Sequence, residues 1–212
     1  MSRLLMARHG ETELNSAQRY WGKSNINLSP LGVSQAEKLR ERLRTERVDA
    51  VYASNLVRAR LTAEIITEGR KLKIMTCPEL AEVNFGKLEG LTFEEISKQY
   101  PEIARLWLAR SQELEYPGGE SRSTFNNRVT GFLKRLEKHT SEESILIVAH
   151  SGVLRTLICE LLGLNLDLRW QLRCDLASLS ILETYPQGAV LTLLNDVSHL
   201  RDRAAGTSAP IA

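Results

Sequence analysis

Two short apolar runs, each ending in a histidine, constrain this chain more than any other feature. Leu4-Leu5-Met6-Ala7 runs into Arg8-His9-Gly10-Glu11-Thr12, with Asn15 just beyond. Ile145-Leu146-Ile147-Val148-Ala149 runs into His150-Ser151-Gly152. Runs of this length and apolarity read as buried strands. A strand that ends in Arg-His-Gly sets a cation, an imidazole and a permissive backbone turn at one point. Two histidines at the ends of two buried strands suggest a site that handles phosphate through nitrogen chemistry.

Apolar runs alternate with helical patterns along the rest of the chain. Residues 3–8 read as the first strand. Ser29-Pro30-Leu31 opens a helix, with Ser29 at the cap, Pro30 in the first turn, and Leu31, Ala36, Leu39 and Leu43 on its apolar face. Residues 48–53 read as a second strand, Ser54 or Asn55 as the cap of a helix carrying Leu56, Ala59, Ala63 and Ile66, and 73–76 as a short third strand. From Glu82 to about residue 120 the chain is punctuated by Gly86, Gly90, Pro101, Pro117, Gly118 and Gly119, with room for two short helices at 92–99 and 101–110. This stretch reads as an excursion over the sheet. A long helix over 121–138 follows, then a strand at 144–149, a helix at 152–162, and a hairpin of 176–184 and 189–195 around Pro186-Gln187-Gly188.

The expected architecture is α/β, a three-layer sandwich whose mostly parallel sheet is flanked by helices. It comprises one domain over 1–200, with 82–127 as a helical cap over the site and 201–212 as a disordered tail. In such sheets ligands bind outside the carboxyl ends of the strands. That rule puts Arg8-His9-Gly10, Ser54 and His150-Ser151-Gly152 on one edge, and Arg58, one turn into the helix after Ser54, can point back to it.

A net charge of +2 gives no bulk electrostatic argument for nucleic acid or an anionic membrane as partner. Cys77, Cys159 and Cys174 are odd in number, lack regular spacing and form no Cys-x-x-Cys pair, which argues against a disulfide framework and a structural zinc site. No apolar stretch suits a signal peptide or a membrane span, so a cytoplasmic location is expected. His139 and His199 lie outside any motif and read as solvated.

The motifs resemble those of the histidine phosphatase superfamily, which includes the phosphoglycerate mutases, over nearly the whole chain. Arg8-His9-Gly10-Glu11-Thr12-x-x-Asn15 matches its defining signature, and Asn27-Leu28-Ser29-x-x-Gly32-x-x-Gln35-Ala36 the segment that usually follows. Ser54-x-Leu56-x-Arg58-Ala59-x-x-Thr62-Ala63 matches a second arginine motif. Leu80-x-Glu82-x-x-Phe85-Gly86-x-x-Glu89-Gly90 matches the motif with the acidic residue. Pro117-Gly118-Gly119-Glu120-Ser121 matches the phosphatase branches, and Val148-Ala149-His150-Ser151-Gly152 supplies the second histidine.

The resemblance implies a phosphoglycerate mutase-like fold and a phosphomonoester hydrolase that works through a phosphohistidine, with no cofactor and no metal. His9 is then the nucleophile and needs a backbone carbonyl to set its tautomer. Arg8 and Arg58 offer planar forks to phosphate oxygens. His150 stabilises charge on the transferring oxygens, and Asn15, Ser151 and Gly152 add neutral donors. Glu82 is the general acid, with Glu79 and Glu89 close enough in sequence to compete for that assignment.

The short span from Glu82 to His150 and the lack of a closing C-terminal motif resemble the compact phosphatases, including α-ribazole phosphatase and broad-specificity phosphatases. Tyr20, Trp21, Phe85 and Trp107 are candidates for a wall against an aromatic base such as that of α-ribazole 5′-phosphate. Asn84, Arg122 and Asn126 are candidates for sugar hydroxyls. Two other readings stand beside the hydrolase: a phosphoglycerate mutase, which needs a lid to keep water from the phosphohistidine, and a catalytically silent interaction module. The expected partner is a small phosphomonoester, and a homodimer suits the superfamily.

Overall fold

Pairing of the two histidine-bearing strands sets the centre of the fold. The computed structural model describes residues 2–15 and 19–201. Strand β1 (Arg3–Arg8) lies parallel to β4 (Ser144–Ala149), with Leu5 opposite Leu146 and Arg8 opposite Ala149. The next residue on each strand is a histidine, so the register brings His9 and His150 side by side. The His9 N–H donates to the Ala149 carbonyl at 3.0 Å and locks that alignment.

The sheet has six strands in the order β3-β2-β4-β1-β5-β6. Strands β2 (Ala50–Ser54) and β3 (Ile74–Cys77) continue the parallel set beyond β4. On the other side β5 (Leu179–Tyr185) runs antiparallel to β1, and β6 (Gly188–Asp196) antiparallel to β5. Because side chains alternate along a strand, Leu4, Met6, Tyr52, Ile145 and Ile147 pack on one face, while Leu5, Ala7, Val51, Leu146 and Val148 pack on the other. Helices α1 (Pro30–Arg42) and α2 (Val57–Ile66) cover the second face through Leu39, Ala59, Ala63 and Ile66.

The first face is covered by α5 (Arg122–Gly131) and α6 (Ser151–Leu161), through Phe125, Val129, Val153, Leu154 and Leu157. Between β3 and α5 the chain makes its excursion, with α3 (Phe93–Gln99) and α4 (Pro101–Leu108) around a separate cluster of Phe85, Leu88, Ile96, Leu114 and Tyr116. Thr92 and Glu95 form a reciprocal capping box at the start of α3. No helix among the described residues is long and apolar enough to cross a membrane.

Several local expectations shift. Leu31 is 53% exposed, and Gly32 takes the buried position of that turn. Leu56 occupies the cap position of α2 without a side-chain cap bond, and the Ser54 hydroxyl is used elsewhere. The helix foreseen over 121–138 ends at Gly131 and tightens into a 3₁₀ turn over Phe132–Arg135. Glycine has poor helix propensity, which favours the break there.

His139 and His199 are partly buried and hydrogen-bonded, not free in solvent. His139 bridges Tyr52 Oη (2.8 Å) and Glu143 (3.0 Å), and His199 Nε2 donates to the Ala177 carbonyl at 3.0 Å. The tail foreseen over 201–212 falls, apart from Arg201, outside the described residues.

The segment after β1 is clamped by α1. Ser29 caps α1 by accepting from the Gly32 N–H, and its own N–H donates to the Glu11 carbonyl. Gln35 accepts from the Glu11 N–H at 2.9 Å. A Cβ on Gly32 would lie 2.0 Å from the Glu11 carbonyl oxygen, and one on Gly10 would lie 2.4 Å from the Gly32 oxygen. Backbone meets backbone here, so neither glycine has room to grow. Gly32→Ala is expected to destabilise the protein by about 1–3 kcal/mol through overpacking. Gly131→Ala, at a helical position with nothing within 4 Å of the new methyl, is expected to gain about 0.5–1 kcal/mol. Urea unfolding midpoints of the two variants check both signs.

Candidate active site

The carboxyl edge of the parallel strands gathers six of the eight residues singled out for chemistry around one buried pair. The rings of His9 and His150 lie 5.0 Å apart, tilted by 58°. They are 4% and 0% exposed, beneath the cavity and not on its wall.

His9 Nδ1 is 2.7 Å from the Gly10 carbonyl oxygen. A carbonyl only accepts, so Nδ1 carries the proton and Nε2 keeps its lone pair. The foreseen backbone tautomer lock is therefore present. His150 Nε2 lies 2.8 Å from Ser54 Oγ, which already accepts from the Leu56 N–H at 3.2 Å. Among the described residues His150 Nε2 is the one acceptor within reach of the Ser54 hydroxyl proton, and that assignment puts the ring proton of His150 on Nδ1. It has no partner among the described residues.

Two arginines flank the pair and are held by backbone. Arg8 Nη1 donates to the Cys174 carbonyl at 2.7 Å, and its Nε is buried with no partner among the described residues. Arg58, in the first turn of α2, donates through Nη1 and Nη2 to the carbonyls of Ser24 and Gly22, both at 2.8 Å. Burial lowers the pKa of both guanidiniums, that of Arg58 to about 10. Burial first, and then the charges of Arg58 and Arg8, hold His9 well below the ordinary histidine range; the same causes, with His9 added, act on His150.

Glu82 follows the turn after β3. Its carboxylate accepts from the Gly152 N–H at 3.1 Å and from the Val83 N–H at 3.0 Å. A Cβ on Gly152 would stand 2.6 Å from Glu82 Oε1, so the glycine makes room for the acid at the start of α6. The Gly152 amide, foreseen as a phosphate donor, is thus engaged by Glu82. The two competing acids lie elsewhere: Glu79 binds Arg135, and Glu89 holds Ser24 and the backbone N–H of Lys23. Asn15 Oδ1 accepts from Thr12 N and Oγ1, which leaves the amide nitrogen as the end that can donate.

Some supporting residues carried no assigned role in the sequence reading. Thr62 Oγ1 accepts from the Gly10 N–H and donates to the Arg58 carbonyl, joining the two motifs. Its place four residues after Arg58 was the available signal. Ala177, in the left-handed region at φ 52°, donates its N–H to the His9 carbonyl. No local pattern marks that contact.

A cavity of about 270 Å³ opens beside this edge, lined by Arg8, Asn15, Glu82, Ser151 and Gly152 at one end. Tyr20, Trp21, Phe85, Trp107 and Tyr116 also line it. Tyr20 and Trp107 have ring centres 4.7 Å apart, and Phe85 stacks on Trp107 at 5.6 Å and 13°. Of the three residues considered for hydroxyl recognition, Arg122 lines the cavity. Asn84 accepts from the Gly86 N–H, and Asn126 accepts from Arg169.

Comparison with known proteins identifies the family to which this fold belongs. The model of the histidine phosphatase superfamily (branch 1) matches residues 4–197. The chain belongs to the histidine phosphatase superfamily.

Among curated relatives, phosphoserine phosphatase 1 of Hydrogenobacter thermophilus is 35% identical over 200 residues, covering 94% of this chain and 95% of the relative. The adenosylcobalamin/α-ribazole phosphatase of Salmonella typhimurium is 35% identical over 193 residues, covering 91% and 96%. The crystal structure of a putative α-ribazole-5′-P phosphatase from Escherichia coli superposes with a TM-score of 0.87 at 32% identity, covering 92% and 96% of the two chains. The fold is the one these phosphoglycerate mutase-like phosphatases share, and phosphatase activity follows the family.

The depressed basicity of the pair has a direct consequence. Burial and the neighbouring guanidiniums favour the neutral form of both imidazoles, so their ring NMR signals are expected not to shift as pH falls from 8 to 6. Because the unfolded chain takes up these protons near pH 6.5 and the folded one does not, their contribution to stability is complete above that pH. It is lost progressively as pH falls below it, toward the depressed folded-state values. Histidine ring signals followed against pH check the first statement, and denaturation midpoints between pH 7.5 and 5 check the second.

Proposed function

We propose that the protein is a phosphomonoester hydrolase that transfers the phosphoryl group to His9 and then to water. The observation that carries this reading is the Nδ1–H···O=C bond to Gly10, which leaves the Nε2 lone pair of a neutral imidazole beside two guanidiniums. Nε2 attacks phosphorus, the P–N bond forms as the P–O bond to the alcohol breaks, and Glu82 delivers its proton to the departing oxygen. Water then attacks the phosphohistidine, Glu82 takes its proton, and the P–N bond breaks to release inorganic phosphate.

Arg8 and Arg58 neutralise the equatorial oxygens, and the unpartnered Nδ1–H of His150 donates to one of them. Asn15 and the Ser151 amide, in the first turn of α6 where the helix itself offers no acceptor, add neutral donors at the same end. These groups supply the positive charge that a metal supplies in other phosphatases, so turnover in the presence of a chelator belongs to this reading.

The substrate we infer is a small phosphomonoester whose alcohol part carries a flat ring. The support is the continuous wall of Tyr20, Trp21, Phe85, Trp107 and Tyr116 beyond the phosphate end. α-Ribazole 5′-phosphate meets that requirement and is the first substrate to test. O-phosphoserine, suggested by the other relatives, has no ring for the wall.

His9→Ala is expected to lower kcat/KM by more than about 10³-fold, with a chelator present throughout. Turnover unchanged in that variant would remove the nucleophile assignment, and absence of turnover in the wild-type protein would favour the silent module. Glu82→Gln is expected to slow alkyl phosphates by about 10²–10⁴-fold while 4-nitrophenyl phosphate, whose leaving group needs no proton, loses only a few-fold. Equal loss on both would refute the acid role. Incubation with 3-phosphoglycerate and a bisphosphoglycerate primer is expected to yield phosphate; fast formation of the 2-isomer would establish the mutase instead.

A further inference from the structure

The cavity holds far more positive charge than one phosphate needs. Its lining includes a single carboxylate, Glu82, against the guanidiniums of Arg8, Arg19, Arg110, Arg122, Arg155 and Arg169. Several of these are accounted for. Arg8 belongs to the phosphate end, where Arg155 stands within its electrostatic reach. Arg19 pairs with Glu95 at 2.8 Å, Arg122 pairs with Asp167, and Arg110 is exposed at the rim.

Arg169 is different. It is 7% exposed, yet its hydrogen-bond partners are neutral: Nη1 donates to Asn126 Oδ1 at 2.5 Å and to Thr156 Oγ1 at 3.4 Å. Its guanidinium carbon lies 5.7 Å from the centre of the Phe125 ring and 5.5 Å from that of Trp170, and both rings line the same cavity. These contacts fix the direction of the fork while leaving Nε and Nη2 without a protein acceptor among the described residues. No carboxylate is paired with Arg169 among the described residues; Asp167, already paired with Arg122, acts on it only through space. A buried cation compensated so weakly is costly unless a ligand supplies the counter-charge.

A second group points to the same ligand. Tyr116 is 6% exposed, lines the cavity, and makes ring contacts with Phe85 and Trp107 but no hydrogen bond through its hydroxyl among the described residues. Burial raises its pKa, so the hydroxyl remains a neutral donor. It stands within electrostatic reach of both Arg169 and Glu82. Thr156, which bonds Arg169, also donates to the Gly152 carbonyl, and the Gly152 N–H holds Glu82. The unmatched cation is therefore built onto the same helical turn as the candidate acid.

We propose that Arg169 and Tyr116 form an anion seat, so that the preferred substrate carries a carboxylate or a second phosphate on its alcohol part as well as a ring for the aromatic wall. The inference rests on the phosphatase reading of the cavity and goes beyond it, since α-ribazole 5′-phosphate would leave the seat unfilled. Two donors, one of them charged, are available to such a group. Donors of this kind are worth about a tenfold difference in affinity between an anion and a neutral group of the same shape.

The test uses non-hydrolysable naphthylmethylphosphonates, so that turnover plays no part. One carries a carboxylate on the far ring and its control carries a carboxamide there. Calorimetry at low salt is expected to show the carboxylate binding the wild-type protein about tenfold more tightly than the carboxamide. The ratio is expected to fall toward one in Arg169→Gln, to be partly kept in Arg169→Lys, and to drop several-fold in Tyr116→Phe, which retains the ring.

A ratio near one in the wild type would overturn the seat. So would a ratio unchanged in Arg169→Gln, or in Tyr116→Phe where the first variant does not fold; a purely structural Arg169 would weaken both ligands alike. Failure of the phosphatase reading shows separately, in the ester assays with His9→Ala, and leaves the binding ratio standing on its own.

Discussion

The site depends on two buried guanidiniums held by neutral oxygen. Arg8 and Arg58 donate to the carbonyls of Cys174, Gly22 and Ser24, while Glu82 and Glu89 act on Arg58 only through space. Carbonyl dipoles satisfy the N–H groups without cancelling the charge. Burial first, and this uncancelled charge after it, push both imidazoles toward the neutral form. A carboxylate set directly against either arginine would stabilise the empty protein, but it would also compete with every anionic ligand. The protein accepts weaker pairing here and keeps a positive field at the one place where a phosphate dianion can use it.

That choice makes the loops part of the chemistry. The segment supplying carbonyls to Arg58 must be as stiff as a helix end, and two contacts make it so. A Cβ on Gly22 would lie 1.7 Å from the Val83 oxygen, so backbone packs against backbone there. Glu89 then gathers the N–H groups of Lys23 and Ser24. Both Val83 and Glu89 belong to the excursion that also builds the aromatic wall. The excursion thus does two things at once: it shapes the cavity and it braces the arginine beneath. On the opposite side Ala177 accepts a left-handed backbone so that its N–H can reach the His9 carbonyl.

Legibility in the sequence divides along the same lines. The strands ending in His9 and His150 were readable because their side chains are buried on both faces, which leaves an uninterrupted apolar run. The register that joins them then follows from parallel pairing. Arg58 and Glu82 were readable through the family motifs that carry them, helped by their place just beyond strand ends. Ser54 was legible as a residue of the ligand edge, but neither it nor Asn55 caps α2, since the local pattern cannot show that a histidine 96 positions away engages the Ser54 hydroxyl. His139 was misjudged for the same reason: its partners Tyr52 and Glu143 come from a strand and a loop. Gly131 inside a helical pattern was a break signal that the flanking apolar periodicity masked. The anion-seat residues were illegible as a group, because Tyr116, Asn126, Thr156 and Arg169 come from four segments that meet only in three dimensions.

This division also separates what family membership carries from what it leaves open. The phosphate end is made of strand ends, the first turns of α2 and α6, and backbone carbonyls, so changing it would disturb the sheet itself. The far end is made of side chains on α4, α5, α6 and the turn around Arg169, none of which joins the sheet. Substitution there alters a wall without disturbing a strand. Relatives named for phosphoserine and for α-ribazole, chemically unlike one another, stand at the same 35% identity to this chain. Global identity therefore has no power to choose a substrate. The choice has to be read from the polar groups that the far wall turns toward the cavity, Arg169 and Tyr116 among them.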